Sequence, residues 1–340
     1  IAAGARAFHP PVEGLAEAGY LTNESVFNLT QRPARLAVLG GGAIGCEMAQ
    51  AFQRLGSQVT VMQNKPRLMD REDPEAAEII QRAFGREGIR VALGNWTLRR
   101  IEREGAEKVL HMESDGMRDR VAVDEILVAV GRSPNVEGLG LEAAGVKYDA
   151  RAGVLVDDCL RTSNPNVFAA GDVASKYKFT HTADAAARIV VQNALFMGRK
   201  KFSSLVVPWC TFTDPEVAHV GLYEDEARAK GIEVETFTRH FSDVDRTVLE
   251  GEEEGFVKVH VKKGADRILG ATVVGRYAGE LIGELTLAMQ HGIGLKKISE
   301  TIHPYPTRSE AIRHVADMYQ RTRLTPLVKT LFGKWFSRSR

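Results

Sequence analysis

Gly40, Gly42 and Gly45 stand at the spacing Gly-x-Gly-x-x-Gly, with Gly41, Ala43 and Ile44 between them. Glycines at that spacing suit the pyrophosphate of a dinucleotide. Gly40 permits a tight turn, Gly42 presents no side chain to the phosphates, and Gly45 lets the following helix pack close to the preceding strand. The helix start then offers unpaired N–H groups and the positive end of its dipole to the anion. A second group lies about 20 residues on, where an NAD site places a carboxylate on the ribose 2′-hydroxyl. Gln63 stands there instead, followed by Asn64, Lys65 and Arg67. A neutral amide does not repel a 2′-phosphate, and two cations can pair with one. The expected cofactor is therefore NAD(P)H with a lean toward NADPH; a solvated basic turn is the competing reading. Cys46, Cys159 and Cys210 are widely spaced. They make neither a disulfide framework nor a CxxC metal site, so no metal is expected. They read as small structural hydrophobes in a reducing, cytoplasmic compartment.

A glycine turn of this kind needs a strand before it and a helix after it. The apolar run 36–39 has strand length, and Met48, Ala49, Phe52 and Leu55 recur at helical spacing over 46–55. Gly56 stops that helix, and 59–61 reads as a second strand. Strand, turn, helix and strand form one βαβ unit. Before it, 1–6 reads as a short strand and 25–29 as a short helix capped by residues 22–24. After it, Asp73-Pro74 opens a helix over 74–88. Strands follow near 89–93, 96–102, 107–113, 120–123 and 125–130, and again at 154–157 and 167–170. A helix runs over about 182–197. From Pro208 the style changes: strands at 209–213, 217–221, 234–240, 256–262 and 268–275 precede helices over 277–291 and 309–321. That is an α+β domain of ordinary size.

The chain has 340 residues, 44% hydrophobic and 26% charged, with a net charge of +1. Two or three packed domains are expected, with no general attraction to nucleic acid. No apolar run approaches the ~20 residues of a membrane span. The chain opens at Ile1 in what reads as the middle of a domain, so a piece of a longer protein is expected.

Five stretches, taken in order, resemble the C-terminal two-thirds of the pyridine nucleotide-disulfide oxidoreductases, the group of dihydrolipoamide dehydrogenase, glutathione reductase and mercuric reductase. The stretch from Ile1 to Gly4 resembles the strand that ends the first flavin-domain segment. The stretch from Gly40 to Glu47 resembles the nicotinamide-nucleotide fingerprint. Gly131-Arg132-Ser133-Pro134-Asn135 is similar to the family's GRxPN turn, and the run ending in Gly171-Asp172 to its second flavin motif. Asp214-Pro215-Glu216 resembles the start of the interface domain, and Tyr305-Pro306-Thr307 through Glu310 its end. The resemblance implies an α/β protein with two Rossmann-like dinucleotide-binding domains, the FAD one incomplete, and a C-terminal α+β dimerisation domain. On that plan 1–32 ends the first FAD segment and 33–135 is the NAD(P) domain. Residues 136–204 form the second FAD segment, 205–320 the dimerisation domain and 321–340 a basic tail.

The resemblance also implies roles. Gly4, Gly131, Gly171 and Asp172 would line FAD, with the Asp172 carboxylate accepting from a ribityl or ribose hydroxyl. His181 and Ala183 would lie near the pyrimidine edge of the flavin. Glu47 matches a residue that pairs with a lysine beside the flavin N5, and Ala43 takes the place of a gating tyrosine. The family carries out its thiol chemistry with a Cys-x4-Cys pair, which this sequence lacks, so this piece is expected to be inactive alone. Tyr305 stands where disulfide reductases carry a histidine, and Glu310 matches the glutamate that orients it; His303 lies two residues earlier. The family's dimer places this turn of one subunit over the flavin of the other. A phenol with pKa near 10 cannot cycle as imidazole does at neutral pH, so Tyr305 is expected to donate a hydrogen bond to the acceptor adduct, and Glu310 to hold the turn or the Tyr305 hydroxyl. The implied protein is a homodimer passing electrons from NAD(P)H through FAD to a disulfide or small-molecule acceptor. An NAD(P)H oxidase or quinone reductase without a thiol relay and a non-catalytic nucleotide-binding module are the alternatives.

The tail carries Arg321, Arg323, Lys329, Lys334, Arg338 and Arg340 and no acid, with Leu324, Leu327, Leu331, Phe332, Trp335 and Phe336 near one helical side. It suits either weak contact with an anionic membrane surface or packing of a terminal helix on its own dimer.

Overall fold

The computed structural model describes residues 1–94, 96–114 and 117–338, the last without its side chain. The final cations of the tail, the Arg338 side chain and Arg340, thus lie outside the described residues. The chain divides into two compact units, Ile1–Leu205 and Val206–Arg340.

The first unit opens with β1 (Ala5–Ala7) and α1 (Leu15–Ala18), followed by a single 3-10 turn over Val26–Asn28. Then come β2 (Arg35–Leu39), α2 (Ala43–Arg54), β3 (Gln58–Gln63), α3 (Pro74–Arg86) and β4 (Arg90–Leu93). Three antiparallel strands follow, β5 (Thr97–Glu104), β6 (Glu107–Ser114) and β7 (Met117–Val123), and the chain returns as β8 (Glu125–Val128). The central sheet has the order β4-β3-β2-β8 and is parallel, with Val38 beside Val61 on one side and Leu127 on the other. Leu36, Ala37, Val38, Val61, Ile126 and Leu127 are all fully buried. A parallel sheet is covered on both faces, which is why its strands read as unbroken apolar runs. α3 starts where the sequence places it because the Asp73 side chain accepts the N–H groups of Glu75 and Ala76, with proline at the first helical position.

The rest of this unit is β9 (Arg132–Pro134), β10 (Tyr148–Asp149), β11 (Gly153–Val154) and α4 (Thr180–Leu195). Several boundaries depart from the sequence reading. α2 begins at Ala43, not Cys46, because Gly42 is its N-cap; Ala43, Ile44 and Gly45 form its first turn. The opening strand is Ala5–Ala7, paired with Arg132–Pro134. Residues 154–157 reduce to Gly153–Val154 in a two-residue hairpin. Residues 167–170 form no strand: Phe168 makes one isolated bridge to Arg161, and the Ala170 N–H donates to the Ile1 carbonyl at 3.0 Å. An apolar β-branched run becomes a strand only where a neighbour supplies a ladder.

The second unit is built on one antiparallel sheet. Its elements are β12 (Pro208–Thr211), β13 (Glu216–Gly221), α5 (Glu224–Ala229), β14 (Val234–His240), α6 (Asp245–Leu249), β15 (Phe256–Lys262) and β16 (Ile268–Gly275). Helices α7 (Ala278–Gln290), α8 (Leu295–Ser299), α9 (Glu310–Thr322) and α10 (Pro326–Arg338) complete it. The strand order is β12-β13-β16-β15-β14. The core joins Val257, Val259, Val261 and Val273 of the sheet to Ile282 and Leu285 of α7 and to Ile312 and Val315 of α9. Each such side chain contributes about 1.5–3 kcal/mol on burial. α8 has no counterpart in the sequence reading; five residues are too few for a helical period to show.

Candidate nucleotide, flavin and acceptor sites

The glycine turn lies at the C-terminal ends of β2 and β8. β2 has β3 on one side and β8 on the other, so the chain's winding reverses beside it, and the crevice at such a reversal is where open parallel sheets bind ligands. Gly40 has φ +108° and its absent Cβ would stand 2.5 Å from the Ala129 carbonyl oxygen. A Cβ on Gly45 would stand 1.9 Å from the Gly40 carbonyl oxygen. These two glycines are required by the protein itself. Gly42 differs: a Cβ there would meet nothing within 4 Å. No side chain caps α2, so its first-turn N–H groups face that open space as anion donors. A space kept clear above an uncapped helix start fits a pyrophosphate.

Gln63 ends β3, buried, and its amide donates to Asp70 Oδ1 at a long 3.4 Å. Arg67 donates to the carbonyls of Asp70 at 3.0 Å and Glu72 at 3.5 Å, so this cation ties its own loop together. Lys65 is exposed. Sequence reasoning singled out Lys65 and Arg67 but missed Asp70, which brings a carboxylate beside Gln63; nothing in its local sequence marks it.

A second group forms around Asp172. Its Oδ2 accepts from Arg132 Nη1 at 2.5 Å, and Arg132 Nη2 donates to the Ala5 carbonyl at 2.7 Å. Lys178 Nζ donates to the Asp172 carbonyl at 2.9 Å; burial pulls its pKa down, against the opposing charge of Asp172. Gly171, at φ +80°, lies with its Cβ position 3.4 Å from the Ala183 methyl. The pairing of β1 with β9 brings the Gly4 segment in as well: the Gly4 carbonyl accepts the Asn135 N–H at 3.0 Å, and Asn135 Nδ2 donates to the Ala3 carbonyl at 2.9 Å. Gly131, at φ +120°, gives its carbonyl to the Phe8 N–H at 2.9 Å. Gly4, Gly131, Gly171, Asp172 and Ala183 thus share one neighbourhood. Two polar atoms in these elements, Arg132 Nε and Thr182 Oγ1, are buried with no protein partner. Unmet buried polar groups call for a partner, and a ligand rich in hydroxyls and carbonyls such as FAD fits them. His181 is exposed and stacks on Phe179, ring centroids 5.3 Å apart. Glu47 lies in α2 beside Cys46.

The cysteines do not form a redox pair. Cys46 is fully buried, and burial, with the Glu47 charge adding to it, pushes its thiol up to about 12. Cys159 and Cys210 are half-buried and free. Glu102, Glu104 and His111 bring potential ligand atoms within 4.8 Å of one another, but Arg100 and Arg120 already pair with the two carboxylates.

In the second unit, Tyr305 is 70% exposed. Its hydroxyl donates to Asp245 Oδ2 at 2.8 Å, and that bond, with the Asp245 charge, raises the phenol's pKa. The group is thereby held as a neutral donor. Glu310, buried at the head of α9, accepts from the Thr307 N–H at 3.4 Å and pairs with Arg313 at 3.3 Å. Of the two expected contacts, Glu310 reaches the turn, and Asp245 takes the hydroxyl. His303 is bound through both ring nitrogens, to Glu284 Oε1 at 2.9 Å and to the Thr301 carbonyl at 3.1 Å. Its side chain is 6% exposed, so it does not replace Tyr305. Arg308 pairs with Glu250 and lies over the Tyr277 ring at 5.6 Å. Asp245 and Glu250 were not legible beforehand, since Asp245 lies 60 residues from the tyrosine it meets.

The chain belongs to the pyridine nucleotide-disulphide oxidoreductase family: the family's profile matches residues 1–187, and that of its dimerisation domain matches residues 207–316. The family uses FAD and NAD(P)H. The chain is 37% identical over 316 residues to a mercuric reductase of Staphylococcus aureus, covering 93% of this chain and 58% of that protein. It is 40% identical over 286 residues to a dihydrolipoyl dehydrogenase of Thermus scotoductus, covering 84% and 62%. Among solved structures it resembles the HOCl-induced flavoprotein disulfide reductase RclA from Escherichia coli, with a TM-score of 0.84, 28% identity, and coverage of 93% of this chain and 72% of that one. The α/β architecture expected from the sequence is that of these structures. The chain spans about three fifths of the length of the two relatives it matches. Among the described residues, no helix is long and apolar enough to cross a membrane.

Proposed function

We propose that the whole protein is an FAD-dependent oxidoreductase that takes electrons from NAD(P)H, with NADPH preferred, and delivers them to a disulfide or related small-molecule acceptor. The observation that carries this reading is the pairing, in one unit, of an open glycine turn under an uncapped helix with the Asp172–Arg132–Lys178 group and its unmet buried donors. FAD, when bound, accepts hydride from the reduced nicotinamide and hands on the electron pair. Gly40, Gly42, Ala43, Ile44, Gly45 and Gln63 hold the nucleotide, with Lys65 toward a 2′-phosphate. Gly4, Gly131, Gly171, Asp172, His181 and Ala183 hold the flavin, with Glu47 on the nicotinamide side. Tyr305 and Glu310 serve the acceptor. Cys46 takes no part in a thiol relay, because its thiol stays protonated. The protein acts as a cytoplasmic homodimer, and its basic C-terminal segment makes a weak contact with a membrane surface.

Flavin binding tests the reading. Among the described residues of 136–205, strands occur only as a two-residue hairpin, too little to build a flavin domain unaided. Residues 1–340 should purify nearly colourless and the full-length protein yellow. Stoichiometric, tightly held FAD on residues 1–340 would show that the flavin site is otherwise composed.

A further inference from the structure

The inference concerns α10 and deepens the reading of a weak membrane contact, on which it rests. Leu327, Leu331, Phe332, Trp335 and Phe336 are 41–70% exposed. The aromatic three stack on one another, with centroids 5.9–6.3 Å apart. At about 100° per residue these side chains and Val328 fall within roughly half the helix circumference. Lys329 and Lys334 stand at the two borders of that half, and Thr330, Gly333 and Ser337 occupy the middle of the other.

Charge is segregated in the same way. Residues 321–340 hold six of the chain's 45 cationic side chains and none of its 44 acidic ones, so the remaining 320 residues carry 39 against 44. An apolar half-cylinder edged by lysines matches the boundary between acyl chains and anionic headgroups, where lysine stems run along the apolar surface and lift their charge to the phosphates. A protein groove fits less well, because interface cores are depleted of lysine. Thirteen residues make a helix about 20 Å long, short of the ~30 Å hydrocarbon layer, so the helix must lie flat.

We propose that α10 lies in the headgroup plane of an anionic phospholipid membrane, apolar half inward, with Lys329 and Lys334 on lipid phosphates, and so holds the enzyme at that surface. The test is co-sedimentation of the full-length, FAD-loaded protein with phosphatidylcholine vesicles, with and without phosphatidylglycerol. Binding should be at least about tenfold tighter to the anionic vesicles and should weaken as salt rises. Lys329→Glu with Lys334→Glu should remove the preference for anionic lipid. Trp335→Ser with Phe336→Ser should remove binding to both vesicle types. Reduction of FAD by NADPH should be unchanged in every variant. Equal binding to neutral and anionic vesicles overturns the anionic assignment while leaving the membrane contact standing. Absence of binding to either overturns both. A change in the protein's mass in solution on mutating Trp335 and Phe336 assigns the face to a second copy and also overturns the proposal.

Discussion

Gly45→Ala should weaken NADPH binding by at least about a hundredfold, whereas Gly42→Ala should weaken it by about tenfold and leave the fold untouched. The contrast follows from what each added methyl meets. At Gly45 it stands 1.9 Å from the Gly40 carbonyl oxygen and 3.0 Å from the Gly40 carbonyl carbon. Both atoms are backbone and cannot swing aside, so α2 must withdraw from the turn by an ångström or more. Displacements of that size at a site cost about a hundredfold, and overpacking of this kind costs typically 1–3 kcal/mol of stability. Gly42 has φ −80°, which any residue adopts, and its Cβ position is open. Alanine there enters only the space assigned to the pyrophosphate. Titration of each variant with NADPH, beside a thermal melt, checks both. Parent affinity in Gly42→Ala would mean that the pyrophosphate lies elsewhere.

Tyr305→Phe in the full-length protein should slow turnover of the acceptor by at least about tenfold and leave reduction of FAD by NADPH unchanged. The hydroxyl is exposed, donates to Asp245, and has its pKa raised by that bond. It therefore keeps its proton throughout the range below its ordinary value of 10, and no limb of the pH–rate profile below that value should belong to it. A side chain this exposed is not part of the core, so its removal should not alter the melt. Asp245→Asn should lower acceptor turnover too, by loosening the phenol. Rapid-mixing measurements of the two half-reactions separate the effects. Parent rates in both would reduce Tyr305 to a packing residue.

How much of this was legible in the sequence depended on distance along the chain. The parallel sheet and the glycine turn were legible because strand, turn and helix are contiguous and each has its own pattern. The start of α2 was misplaced because the first apolar residue of its buried face comes after the N-cap, and Gly45 looks the same in a turn and in a first helical turn. Residues 167–170 read as a strand because β-branched composition does not reveal whether a partner strand is present. The cross-links escaped altogether. Arg132 meets Asp172 from 40 residues away and Tyr305 meets Asp245 from 60, and no periodicity relates such pairs. Arg67 was legible as a cation but not as one engaged by its own loop: a guanidinium reads alike whether it binds a phosphate or a carbonyl.

The central claim is that reduced nicotinamide nucleotide, held on the Gly40–Gly45 turn, delivers its electrons to a flavin held by the Asp172 group. The direct measurement is anaerobic addition of one equivalent of NADPH to the FAD-loaded, full-length protein while the oxidised-flavin absorbance is followed. The absorbance should bleach rapidly in the parent and in Tyr305→Phe, and should fail to bleach at the same nucleotide concentration in Gly45→Ala that still carries its FAD. A flavin that stays oxidised in the parent with NADPH or NADH bound, or one that bleaches at the parent rate in Gly45→Ala, would contradict it.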